Sequence, residues 1–217
     1  MDWVMVQDAD QMEQVFQGFL RRKERVLICL PEEPDSPGRL LCDLVSQCGG
    51  VPVSVQKDMC WISLLKQGFS KRCGCLVGSQ DVILGLSKLA HRMRIPLYAH
   101  SCVIAGDSPD PWTAEAIETG LDSTIRACFQ SVCQSPEPDP VLEQLARELR
   151  RRTSILDFRL ERTESGLSLE MVTFPGEKLP KLPNLAKLVS REWDPATDCP
   201  FELERVGSNA IFSYGTH

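Results

Sequence analysis

The sequence has no apolar run approaching the roughly 18 residues that a membrane-spanning helix needs. Its first residues, Met1-Asp2-Trp3-Val4, lack the charged-then-apolar order of an export signal. No Cys-x-x-Cys pair occurs, so neither a zinc knuckle nor a helix-starting redox pair is spelled out. Basic residues are not in excess: 24 Lys and Arg stand against 30 Asp and Glu, a net charge of -6. A chain of that balance lacks the broad positive surface that nucleic acid or anionic lipid demands, which excludes both as expected partners. His91 sits among arginines and His217 is the last residue, and neither has a Ser or Cys nucleophile with an orienting acid. A hydrolytic triad therefore has no support.

These absences point to a cytoplasmic protein in a reducing compartment, with its ten cysteines as thiols. Cys29, Cys75 and Cys102 fall inside apolar strand-like runs, where a thiol behaves as a small hydrophobe. Hydrophobic residues make up 42% and charged residues 25% of the 217, the usual mix for a packed globule of one domain plus a small second one.

The first two-thirds alternate helix and strand. Residues 8–22 place Met12, Val15, Phe16, Phe19 and Leu20 at helical spacing. Residues 25–30 form a short apolar run closed by Pro31, suited to a strand buried on both faces. Ser36-Pro37 supplies a cap and a first-turn proline for a helix that stops at Gly49-Gly50. The cycle repeats with strands at 51–55, 75–77 and 97–105, helices at 61–69, 80–94 and 113–121, and a last strand at 124–129. Such alternation predicts a mostly parallel, doubly wound α/β sheet.

Prolines at 136, 138 and 140 mark 135–140 as a linker. Beyond it the spacing predicts a helix over 141–152, a hairpin of strands 155–162 and 167–174, a proline-rich loop, a helix over 184–193 and a strand over 201–206. The expected organisation is an α/β domain over 1–134 and a small α+β domain over 141–217.

Several groups invite a chemical reading. The basic runs at 21–23 and 147–152 lie in or at the ends of helical patterns and need no partner there. Cys75, His100 and Cys102 could converge as soft metal ligands if their strands were neighbours in a suitable register, or they could be buried sheet residues. Gly78-Ser79-Gln80 is a strand-to-helix corner of a kind that can hold an anion. Asp107 and Asp110 flank a loop at the C-terminal end of a strand, where open α/β sheets bind ligands, and are equally placed to cap the following helix. The segment 174–184, with three prolines and two lysines, reads as a docking segment or as a loop on the hairpin.

The stretch Ile104-Ala-Gly-Asp-Ser-Pro-Asp-Pro-Trp-Thr-Ala-Glu-Ala-Ile-Glu118, with the order of elements around it, resembles the second α/β subdomain of phenylacetate–CoA ligase-like adenylate-forming enzymes. Residues 138–217 resemble, more faintly, the mobile C-terminal lid of those enzymes. The resemblance implies that Gly106, Asp107, Ser108 and Pro109 lie beside the adenine of a bound adenylate, with ATP or AMP and CoA as the ligands in question.

Other family parts have no match here. No Ser/Thr/Gly-rich phosphate loop ending in lysine occurs. The family's Tyr-Gly-x-Thr-Glu segment, whose glutamate holds magnesium, corresponds to Ala127-Cys128-Phe129-Gln130-Ser131-Val132-Cys133, which has no acid. The catalytic lysine near the C-terminus has no counterpart in 206–217, and the ribose-gripping aspartate and most of the acyl pocket are likewise unmatched. No catalytic or metal-binding residue is assigned. Three readings follow: a reduced, non-catalytic or split ligase-like subunit that either binds a nucleotide or acyl ligand and regulates or is completed by a partner chain supplying the missing elements; an interaction module on the same fold with no small-molecule ligand; or a thiol or metal protein using Cys73, Cys75 and Cys102.

Overall fold

Six consecutive buried residues, Val26 to Pro31, form the spine of the molecule. In the computed structural model, which describes residues 3–34, 36–106, 108–130, 139–164, 166–177 and 185–200, they belong to strand β2 of a six-stranded sheet. The strands are β1 (Val4–Val6), β2 (Arg25–Pro31), β3 (Val51–Val55), β4 (Cys75–Gly78), β5 (Ser101–Ala105) and β6 (Thr124–Phe129). They run in the order β1-β6-β5-β4-β2-β3, every pair parallel. The connecting helices are α1 (Ala9–Phe19), α2 (Pro37–Gln47), α3 (Trp61–Lys71), α4 (Gln80–Met93) and α5 (Pro111–Leu121).

The two faces of the sheet are separated by strand parity. Val26, Ile28 and Leu30 pack with Met12 and Phe16 of α1 and with Leu41, Leu44 and Val45 of α2. Leu27 and Cys29 pack on the other side, with Leu64 of α3, Ile83 and Leu86 of α4 and Ile117 of α5. A sheet covered on both faces has no solvated side, which is why its strands read as continuous apolar runs rather than alternating ones.

After α6 (Pro140–Arg150) comes a three-stranded sheet in the order β7 (Ile155–Thr163), β8 (Gly166–Thr173), β9 (Leu185–Glu192). β7 and β8 form the expected antiparallel hairpin, closed by the Thr163–Gly166 pair. β9 corrects the sequence reading. The segment expected as a helix over 184–193 is a strand, parallel to β8. Leu185, Leu188 and Val189 carry helical spacing, but pairing along β8 gives the backbone a full ladder and overrides that local signal. Two smaller differences concern β1, a three-residue strand not signalled in the sequence, and β5, which starts at Ser101 rather than 97. The expected strand over 201–206, most of the proline-rich loop and most of the 135–140 linker lie outside the described residues.

The small sheet does not stand apart. Leu156, Val172, Phe174 and Trp193 belong to the same buried cluster as Trp61, Ile83 and Leu86. The other side of the hairpin packs on α6 through Leu142, Ala146, Leu149, Phe158 and Leu169. Gly85 of α4 marks the closest approach: a Cβ there would lie 2.4 Å from Cη2 of Trp61 and 3.3 Å from the Leu156 carbonyl oxygen.

Candidate functional site

In a parallel sheet of this kind ligands sit beyond the C-terminal ends of the strands, at the point where successive connections leave for opposite faces. Here that point lies between β2 and β4, because α2 covers one face and α4 the other. The loop carrying Gly106 follows β5, one strand further along.

Gly106 takes φ +126°, a conformation that suits glycine, and its N–H donates to the Phe129 carbonyl at 2.8 Å. Ser108 is exposed and its Oγ accepts from Trp3 Nε1 at 3.1 Å. Pro109 is buried, and Asp107 lies outside the described residues. Asp110 resolves one open alternative in favour of capping. Its carboxylate accepts from the N–H groups of Trp112 and Thr113, at 3.1 and 3.3 Å, and from Thr113 Oγ1 at 2.6 Å.

A phosphate at this edge would need helix N-terminal N–H groups pointing at it. In each of α1 to α5 at least one of those groups is engaged by the protein itself. In α1, Asp8 accepts from Gln11 N–H at 2.8 Å. Ser36 Oγ accepts from Arg39 N–H at 3.1 Å in α2 and donates to the Pro31 carbonyl at 3.0 Å. In α3, Trp61 N–H reaches the Asp198 carbonyl at 3.0 Å. Ser79 caps α4 by accepting from Val82 N–H at 3.3 Å.

The start of α4 is also covered. Ser79, Gln80 and Asp81 are all buried. Arg150, from the end of α6, places Nε 2.8 Å from one Asp81 carboxylate oxygen and Nη2 3.3 Å from the other. Burial alone would lower the Arg150 pKa, but the Asp81 carboxylate beside it outweighs that and holds it raised. Nearby, Lys88 Nζ donates to the carbonyls of Arg152 and Ile155 at 3.0 and 2.8 Å. A void of about 10 Å³ lies there, lined among others by Asp81, Lys88, Arg150 and Leu156. It is near the least that holds one water molecule. The Gly78-Ser79-Gln80 corner is therefore covered, and Arg150, whose run reads as helix-face or last-turn cations needing no partner, is buried with Asp81 as its partner. Its spacing from Leu142, Ala146 and Leu149 on α6 was the available signal.

The cysteines do not form a ligand set. Cys75 lies opposite Ser101 and Cys102 opposite Leu76, so the two thiols face opposite sides of the sheet. His100 pairs instead with the Glu24 carboxylate. Among the described residues no group of three or more His, Cys, Asp or Glu could hold a metal ion. Burial pushes thiols up, Cys102 of β5 to about 12 and Cys73, just before β4, to about 11. An open groove of about 330 Å³ lies at the opposite edge of the sheet, between the C-terminal ends of α4 and α5, with His91, Arg94, Leu97 and Asp122 in its wall. Among the described residues no helix is long and apolar enough to cross a membrane.

No protein-family model matches the chain, and no curated protein does. Among solved structures it is similar to a 2-hydroxyisobutyryl-CoA ligase in an open conformation with 2-HIB-AMP and CoA. The identity is 9% over 55% of this chain and 28% of that one, with a TM-score of 0.49. It is also similar to an amide bond synthetase from Marinactinospora thermotolerans, at 16% identity over 75% of this chain and 36% of that one, with a TM-score of 0.48. The chain thus spans between 28% and 36% of the length of these two proteins.

Proposed function

We propose that this chain is a non-catalytic, adenylate-forming-ligase-like protein that works through contact with another polypeptide rather than through ATP chemistry. The observation that carries this reading is the closed start of α4. The Asp81–Arg150 pair ties the first turn of α4 to the end of α6, and Ser79, Gln80 and Asp81 at this corner are all buried, which leaves a phosphate little access to it. The capped starts of α1, α2 and α5, and the Trp61 N–H of α3 held by the Asp198 carbonyl, support it in the same way. Within the sequence, the segment 127–133, which has no acid where the family carries its magnesium-binding glutamate, agrees with it. The direct test is exchange of labelled pyrophosphate into ATP in the presence of a mixed set of carboxylic acids. The expected rate is that of buffer alone. Exchange above that rate with any acid would sink the reading.

A second reading is favoured by one feature, the Gly106 loop. A glycine at φ +126°, with no side chain to fill the edge of the sheet, stands near Ser108 and its Trp3 partner. Such a loop could accept a flat base while using no phosphate contact. Under this reading adenosine and AMP bind equally and alter the fluorescence of Trp3. If neither ligand changes it, no base sits at this loop.

A further inference from the structure

Two cysteines outside the sheet strands, the half-buried Cys60 and the buried Cys199, lie beside the start of α3. Cys60 is the N-cap residue of that helix and half-buried, with its sulfur 3.1 Å from Ser63 Oγ. The segment after β9 arrives at the same place. Asp198 is fixed there by its carboxylate, which pairs with Arg191 and accepts from Asp194 N–H at 2.8 Å. Its carbonyl accepts from Trp61 N–H at 3.0 Å, and the next residue, Cys199, donates its thiol to the Lys57 carbonyl at 2.7 Å. One contact is at Trp61, the residue after Cys60, and the other at Lys57, on the other side of Cys60 in the chain, so together they bracket Cys60.

We propose that Cys60 and Cys199 are an oxidisable thiol pair, with a hydroperoxide as the oxidising substrate and an intramolecular disulfide as the product. Closing the bond requires Cα atoms about 4.4–6.8 Å apart and turns each sulfur away from its present partner, Ser63 for Cys60 and Lys57 for Cys199. The Cys60 thiol takes one oxygen from the hydroperoxide, becoming a sulfenic acid and releasing an alcohol. The Cys199 sulfur then attacks the Cys60 sulfur, the S–S bond forms, and the hydroxyl leaves with the Cys199 proton as water. Two thiols and one hydroperoxide thus become one disulfide, one alcohol and one water. The bond would fasten the segment after β9 to the start of α3 and so hold the small sheet on the α/β layer. Cys102 and Cys73 compete poorly with the half-buried Cys60 for the oxidant, because burial raises them and shields them from it.

The test uses the reduced full chain treated with tert-butyl hydroperoxide, blocked with N-ethylmaleimide and digested with trypsin without reduction. Residues 58–66 and 192–205 each carry one cysteine, so the linked pair appears as one mass, two hydrogens below the sum of the two peptides. The expected result is that this species accounts for most of Cys60, and that it is absent from Cys60→Ser and Cys199→Ser. Oxidation should also raise the melting temperature of the wild type and leave that of Cys199→Ser unchanged. Recovery of 192–205 as its maleimide adduct while Cys60 becomes sulfinic acid, pairs elsewhere or stays reduced would overturn the proposal.

Discussion

Arg150 grips both carboxylate oxygens of Asp81, and neither side chain keeps more than 6% of its surface in water. The pair joins the last turn of α6 to the first turn of α4, and so fixes the small sheet against the large one. Removing one partner strands the other charge in the interior, at a cost of about 3–5 kcal/mol. Arg150→Ala should therefore lower the unfolding free energy by that amount in urea titrations. The double change Asp81→Leu with Arg150→Met should recover most of it, because it leaves no buried charge.

Gly85 tests the same contact from its apolar side. A Cβ at this position would stand 2.4 Å from Cη2 of Trp61 and 2.8 Å from its Cζ3. Trp61 is fully buried between α4 and the segment carrying Asp198, so it has little room to retreat. Gly85→Ala should cost about 1–3 kcal/mol, as overpacking does, even though alanine favours a helix over glycine. A neutral or stabilising effect would mean that the small sheet packs on α4 less closely.

Gly106 tests the loop. At φ +126° a branched side chain is strained, so Gly106→Val should destabilise the protein by about 1–3 kcal/mol. If a base binds at this loop, the same change should abolish the fluorescence response to adenosine in the folded fraction. An equal response in wild type and variant would place the base elsewhere.

The buried thiols predict the alkaline limit of stability. Burial raises Cys29, Cys75 and Cys102, the last to about 12, while an unfolded thiol titrates near about 8.5. Above that pH the folded chain keeps protons that the unfolded chain loses, so stability falls as pH rises. The contribution is fully present below about pH 8.5 and is lost progressively toward the folded values. Denaturant midpoints should decline between about pH 8.5 and 10.5, and Cys75→Ala with Cys102→Ala should flatten the decline.

Much of this architecture is legible in the sequence. The unbroken run at Val26 to Pro31, the Ser36-Pro37 start of α2 and the turn at Gly166 each carry a local cause strong enough to read directly. β9 was not legible as a strand, because Leu185, Leu188 and Val189 imitate a helical stripe. Leu188 and Val189 are each 43% exposed, so pairing with β8, rather than burial of an apolar face, sets the structure. The candidate site divides in the same way. Asp110 could be recognised as either a cap or a ligand neighbour, and only its three hydrogen bonds decide for the cap. Arg150 sits in a run of arginines that suggests solvent, and its acid partner is 69 residues away, a pairing no local pattern encodes.

The central claim, that this edge of the sheet offers nothing to a phosphate, is tested most directly by calorimetric titration of the purified chain. ATP with magnesium, AMP, adenosine and CoA are compared under one set of conditions. The account predicts that ATP with magnesium binds no more tightly than adenosine, and that CoA gives no saturable heat. Saturable binding of ATP with magnesium at least about tenfold tighter than adenosine, a difference of about 1.4 kcal/mol, would contradict it.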